Sequence, residues 1–301
     1  MARASAWLLL VAISLCADEF SCFFTALFVG YERFQKMCFK SAAATALMRS
    51  TAQPTDAYQQ FRVASLENPS PGTLGHSKVL VTLPTVTRPL LLAVLRNVPT
   101  KDVVSVAEAI VATGFNMISV TADTFGQAQS ISLLAQHFAA DGRAVIGAST
   151  ATNAEHVKTA VRSGAQFVST PRFDVALVSR TVDSGLLSIP AVTAPADAIA
   201  ALAAGAGILK LYNHGPPSRA VPPATLDAMA TQLPADALFM PAGGLEPRQL
   251  GAYSGACGFA VGGTLYRPGA DLSELASRAT AFVAEARKHR AVDSSSLCAA
   301  A

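Results

Sequence analysis

The sequence predicts an α/β fold: a (β/α)8 TIM barrel forming a single domain, preceded by an N-terminal targeting segment. Three observations carry that prediction. From about residue 88, short β-type apolar runs alternate with longer helix-type runs. The unit recurs roughly eight times over about 210 residues, and strand–helix alternation implies parallel strands with right-handed crossovers. No GxGxxG follows the first strand, which disfavours a dinucleotide-binding open sheet.

The first fifty residues differ from the rest. Arg3 precedes the apolar run from Trp7 to Ala17, the form of a secretory signal peptide. A second apolar run, Phe20 to Val29, follows Asp18-Glu19, an acidic pair that would be costly inside a bilayer. Residues 33–50 are basic, Ala/Ser-rich and free of acids, as in an organelle transit peptide. A signal followed by a transit-like segment implies import into a plastid, with the secretory pathway and a signal anchor as alternatives. After processing, no stable membrane association is expected. Residues 51–87, with Pro54, Pro69, Pro71 and Gly72, read as a poorly ordered linker, and 291–301 as a frayed C-terminal tail. That leaves 88–290 for the barrel.

The expected strands are Leu90–Leu95, Met117–Thr121, Ala144–Ala148, Phe167–Ser169, Leu186–Ile189, Ile208–Leu211, Leu238–Pro241 and Phe259–Val261. The expected helices are Val103–Thr113, Ala128–Ala140, Asn153–Ser163, Asp174–Ser184, Ala196–Ala204, Pro223–Gln232, Glu246–Ser254 and Leu272–Lys288. In the first, Val103, Val106, Ala107, Ile110 and Val111 recur at helical spacing. Gly114, Gly142, Gly164, Gly185 and Gly205 stand where helices should stop.

Composition narrows the function. At 51% hydrophobic the chain can fill a large core, and a net charge of +3 with no basic, aromatic-interleaved stripe excludes a nucleic-acid partner. The five cysteines show no CxxC and the five histidines no HxxxH, so neither a disulfide framework nor a metal is expected.

In a barrel, chemistry sits at the C-terminal strand ends. These carry Arg96; Ser119, Thr121 and Asp123; Ser149 and Thr150; Thr170, Pro171 and Arg172; Thr193; Lys210, Tyr212, Asn213 and His214; Gly243 and Gly244; and Gly262, Gly263 and Thr264. Lys210 is a single cation inside the apolar run Ile208-Leu209-Lys210-Leu211-Tyr212. Such a lysine reaches solvent, pairs with an acid, or is desolvated. Desolvation lowers its pKa from about 10.4 toward neutrality and makes the amine a nucleophile toward carbonyls.

Six motifs in this order resemble the class I aldolases of 2-keto-3-deoxy-6-phosphogluconate and 2-keto-3-deoxy-6-phosphogalactonate, over about residues 88 to 287. They are the Leu91–Arg96 and Ala144–Thr150 segments, Ile189-Pro190-Ala191-Val192-Thr193-Ala194-Pro195, Ala204–Tyr212, Pro241-Ala242-Gly243-Gly244-Leu245, and Ala260–Gly269. The absence of an arginine after strand two leans toward the phosphogalactonate branch. The resemblance implies a lyase cleaving a keto sugar acid to pyruvate and an aldehyde such as glyceraldehyde 3-phosphate, with no cofactor, as a homotrimer.

The same resemblance assigns roles. Lys210 matches the Schiff-base lysine, whose protonated imine withdraws electrons for C3–C4 cleavage. Arg96 matches the arginine near the pyruvate carboxylate, a planar two-point donor; the alternative is a structural ion pair. Thr150 matches a substrate-binding threonine, here preceded by Ser149 instead of glycine; alternatively it caps the following helix. Thr193 and Tyr212 belong to the substrate wall. Gly243, Gly244, Gly263 and Thr264 match phosphate-binding loops, where glycine allows close backbone approach and a following helix N-terminus adds favourable potential; the alternative is a turn that requires glycine.

One departure stands out. The family carries a glutamate at the end of strand two, and Ser119 occupies that place. A serine cannot act as a general base near neutral pH, and losing one costs about 10²–10⁴ in rate. Asp123 could serve through water, or be a solvated turn residue. Arg172 could meet an anion or pair with Asp174, and His214 could titrate or simply be solvated. Three functions follow: an active aldolase, a barrel that binds keto acids or sugar phosphates with lost or reduced cleavage, and a Schiff-base decarboxylase of a substrate such as oxaloacetate.

Overall fold

The computed structural model describes residues 89–212 and 220–288. The targeting, linker and tail segments, and Asn213 and His214, lie outside the described residues.

Nine parallel strands are present: β1 (Leu90–Leu95), β2 (Met117–Thr121), β3 (Val145–Ser149), β4 (Phe167–Ser169), β5 (Leu187–Ile189), β6 (Ala191–Val192), β7 (Leu209–Leu211), β8 (Phe239–Pro241) and β9 (Gly258–Val261). They pair in the orders β5-β4-β3-β2-β1-β9 and β6-β7-β8. The fifth expected strand is in fact two. Pro190 has no N–H to give a ladder, so the stave breaks there into β5 and β6, and the Pro190 carbonyl accepts from Lys210 N at 2.9 Å. Bridges Phe239↔Ala256 and Ala242↔Ala260 join β8 to β9 and close the ring. Counting β5 and β6 as one stave, this is the eight-stave barrel the alternation predicted.

Seven α-helices surround it: α1 (Val103–Val111), α2 (Gln127–Phe138), α3 (Ala154–Arg162), α4 (Val175–Asp183), α5 (Pro195–Ala203), α6 (Pro223–Ala230) and α7 (Leu272–Lys288). The segment expected as a helix over Glu246–Ser254 is instead a 3₁₀ turn, Pro247–Ala252. Pro247 starts it, Glu246 and Gln249 close a capping box, and Gly251 and Gly255 leave too little length for an α-helix. Helices α3 and α4 begin on side-chain caps: Asn153 accepts from His156 N, and Asp174 from Ala176 N and Leu177 N. The five expected stop glycines all take positive φ, from 62° at Gly142 to 118° at Gly114.

Alternation along each strand divides the core. Leu91, Ile118, Ile146 and Val168 face the helices, while Leu92, Met117, Val145, Phe167 and Met240 fill the barrel. The Phe167 ring occupies the space beside Gly147, where a Cβ would stand 2.5 Å from it. Among the inward positions toward the C-terminal strand ends, four are polar: Ser119, Ser149, Ser169 and Lys210, all buried.

Candidate active site

Lys210 is the middle residue of β7, so alternation points its side chain into the barrel between Ile208 and Tyr212. It is 9% exposed. Its Nζ donates to Ser169 Oγ at 2.6 Å and lies 5.7 Å from the centre of the Tyr212 ring. No ion pair reaches it among the described residues. Burial alone pushes its pKa down from 10.5 to about 7, because a desolvated ammonium has lost its water. Of the three readings the sequence allowed for this lysine, the described residues give the desolvated one.

Ser119 sits inside β2, fully buried, with its Oγ 3.1 Å from Ser149 Oγ and 3.5 Å from the Ala93 carbonyl. Register pairs Ser149 with Ser169 across β3 and β4. The serines therefore run around the wall from β2 to Lys210. Ser169 escaped the sequence reading, which counted it only as the last residue of a strand. Its signal would have been a hydroxyl at an inward position.

Arg96 follows β1 and is half exposed. Its guanidinium forms an ion pair with Asp123, and Nη2 lies 3.4 Å from Thr150 Oγ1. Asp123 is thus not an unpartnered turn residue; it occupies the arginine. Thr150 does not cap α3, since Asn153 does. It holds φ 59°, a left-handed conformation that a β-branched residue adopts only at a cost of about 1–3 kcal/mol. The strained residue stands at the end of β3, facing Arg96.

A cavity of about 330 Å³ opens beside Lys210's wall, lined by Pro171, Arg172, Phe173, Ala191, Thr193, Asp197 and Tyr212. Thr193 and Tyr212 therefore stand together on its wall. Arg172 makes no ion pair with Asp174 among the described residues; Asp174 is engaged as the α4 cap.

In the loop after β8, Gly243 and Gly244 take φ 91° and 62°, so backbone shape requires glycine there. After β9 the case differs. Gly263 has no positive φ, and an added Cβ would meet nothing within 4 Å. Glycine at 263 is not needed by the fold, and the open space above it leaves the backbone approachable. No α-helix starts directly after either loop: a 3₁₀ turn follows β8, and a turn with Leu265 N and Tyr266 N on Gly262 O follows β9. The expected helix N-terminus is therefore missing. The Thr264 hydroxyl is sealed from solvent with no partner among the described residues.

Among the described residues no cluster of His, Cys, Asp or Glu could hold a metal ion, and no helix is long and apolar enough to cross a membrane.

Residues 84–274 match the family described as KDPG and KHG aldolase. The 2-dehydro-3-deoxy-6-phosphogalactonate aldolase of Escherichia coli (strain K12) is 30% identical over 64% of this chain and 92% of its own length. A probable aldolase of the same kind from Rhizobium meliloti (strain 1021) is 28% identical over 68% of this chain and 94% of its own. Among solved structures, one described as native KDPGal superposes with a TM-score of 0.62 at 28% identity, over 67% of this chain and 96% of that one. A designed cage built by fusing symmetric oligomeric domains gives 0.61 at 28% identity, over 67% and 73%.

Proposed function

Because the chain belongs to the KDPG and KHG aldolase family, and is thereby a lyase, we propose that it cleaves a 2-keto-3-deoxy sugar acid, phosphorylated at its far end, through an imine on Lys210. The observation that carries this reading is the desolvated lysine at the barrel's centre, whose pKa of about 7 leaves much of the amine free near neutral pH. Pyruvate and an aldehyde such as glyceraldehyde 3-phosphate are the products.

Arg96 orients the keto acid by taking its carboxylate. Thr150, within reach of the same guanidinium, adds a hydroxyl. The Lys210 amine attacks the C2 ketone, and the iminium then draws the electrons of the breaking C3–C4 bond. Tyr212 and Thr193 wall the substrate, and the loops at Gly243-Gly244 and Gly263-Thr264 receive the phosphate. The test is incubation with pyruvate and borohydride followed by peptide mass mapping. A reduced pyruvyl adduct at Lys210 is expected, and its absence ends this reading.

A second reading is favoured by Ser119: a barrel that forms the imine but cleaves slowly or not at all. Pyruvate release from 2-keto-3-deoxy-6-phosphogalactonate at ordinary enzymatic turnover would dismiss it. For the assembly, the reading is a homotrimer, checked by sedimentation. For residues 1–50 it is a plastid or secretory address, checked by imaging a fluorescent fusion.

A further inference from the structure

Lys210 has one polar side-chain partner among the described residues, and it is a hydroxyl. Ser169 is 1% exposed and its Oγ lies 2.6 Å from Nζ. Its place is held by neighbours on both sides. The Ser169 carbonyl accepts from Ala151 N at 3.3 Å, and the next residue, Thr170, donates its N–H to the Ile189 carbonyl at 3.2 Å. The Thr170 hydroxyl in turn donates to the Arg172 carbonyl at 2.7 Å, fixing the chain that leaves β4. The carboxylate the sequence put forward as a base, Asp123, is engaged by Arg96.

We propose that Ser169 is a catalytic hydroxyl of this site, relaying the proton between the Lys210 nitrogen and the substrate's carbonyl oxygen as the carbinolamine forms. This rests on the imine-forming reading above. In the step, the nitrogen lone pair forms the C–N bond and the C=O π pair moves to oxygen. One N–H proton passes to Ser169 Oγ while the Ser169 hydroxyl proton passes to that oxygen. The product is a neutral carbinolamine, and the serine ends as it began. The substrate oxygen sits on the same carbon as the new C–N bond, so a hydroxyl already bonded to Nζ is within reach of both atoms. Dehydration then takes one proton from solvent, releases water and leaves the iminium.

Ser119, at the position the resemblance gives to a glutamate, need not be a base for this step. A general base must hold a proton, which a hydroxyl does poorly at neutral pH; a relay gives one proton as it accepts another, so no serine anion accumulates. The burial that lowers the lysine's pKa supplies the neutral amine, and Ser169 supplies the path.

The test compares wild type with Ser169→Ala, Ser169→Cys and Ser169→Thr. The rate of borohydride-trappable adduct formation at saturating pyruvate is measured in H₂O and D₂O across pH, with thermal melting as the folding control. Ser169→Ala and the near-isosteric Ser169→Cys should slow adduct formation about 10²-fold. Half-saturation by pyruvate should be unchanged and the solvent isotope effect lost, while Ser169→Thr stays within a few-fold of wild type. Ala and Cys variants that trap at the wild-type rate with the isotope effect intact would overturn the proposal. That outcome leaves the imine reading standing. No adduct in wild type would remove both.

Discussion

Ser119 and Ser149 touch: their hydroxyl oxygens are 3.1 Å apart inside the barrel. By the resemblance, these positions correspond to a glutamate on β2 and a glycine on β3. The two side chains meet across neighbouring strands, so a longer side chain at 119 would have to share the space of Ser149.

The contact predicts how the glutamate can be restored. Ser119→Glu alone should gain little cleavage activity, because Ser149 obstructs the new carboxylate. Ser119→Glu with Ser149→Gly should raise kcat for 2-keto-3-deoxy-6-phosphogalactonate by about 10²-fold or more. Coupled assay of pyruvate release measures it; equal activity in single and double variants would refute the coupling.

Arg96 is occupied by Asp123 before any keto acid arrives. On the proposed reading, a substrate carboxylate would compete with Asp123 for the guanidinium. Asp123→Asn should therefore lower the half-saturation for pyruvate several-fold, read from borohydride trapping. Arg96→Ala should raise it about 10- to 100-fold, the worth of a charge-assisted hydrogen bond. A rise with Asp123→Asn would mean that the aspartate positions the arginine.

Adduct formation at saturating pyruvate should rise with pH through about 7 and level off above, as Lys210 loses its proton. Stability has its own sign. The folded pKa of about 7 lies below the ordinary 10.5, so between those values the unfolded chain binds more protons. Stability attributable to this group thus rises from pH 7 to 10.5 and is flat below 7, where both states are protonated. Lys210→Met should remove that slope and stabilise the fold below pH 7, on the order of a few kcal/mol. Urea melts at pH 6 and 9 test this.

Gly147→Ala should destabilise the barrel by about 1–3 kcal/mol, since the new Cβ falls 2.5 Å from the Phe167 ring. Phe167→Leu in the same chain should recover part of the loss. Thermal melts of the single and double variants decide it.

A second polar group lies far from the site in sequence terms and serves stability. Glu108 accepts from Arg143 Nη2 at 2.6 Å and His137 Nε2 at 2.5 Å, and Arg143 stands 5.4 Å over the Phe138 ring. Hydrogen bonding by Arg143 first, then His137, holds the Glu108 carboxyl below its usual range. Glu108→Gln should lower the melting temperature by a few degrees at pH 7, with the difference vanishing as pH falls through the lowered carboxyl pKa. Imine trapping at Lys210 should not change.

The sequence alone determined the barrel and singled out Lys210. Both are written in local pattern. Alternation of apolar runs with 3.6-residue periodicity marks strands and helices, stop glycines mark their ends, and one cation within Ile208–Tyr212 has only an inward or an outward face to take. What surrounds the lysine was decided by tertiary structure. Ser169 is 41 residues from Lys210, Ser149 is 30 from Ser119, and Asp123 is 27 from Arg96. Those meetings depend on strand register, which sequence periodicity leaves free by even steps. Closure of the barrel, with one stave broken at Pro190, fixed the stagger and so chose a hydroxyl for the amine and an acid for the arginine.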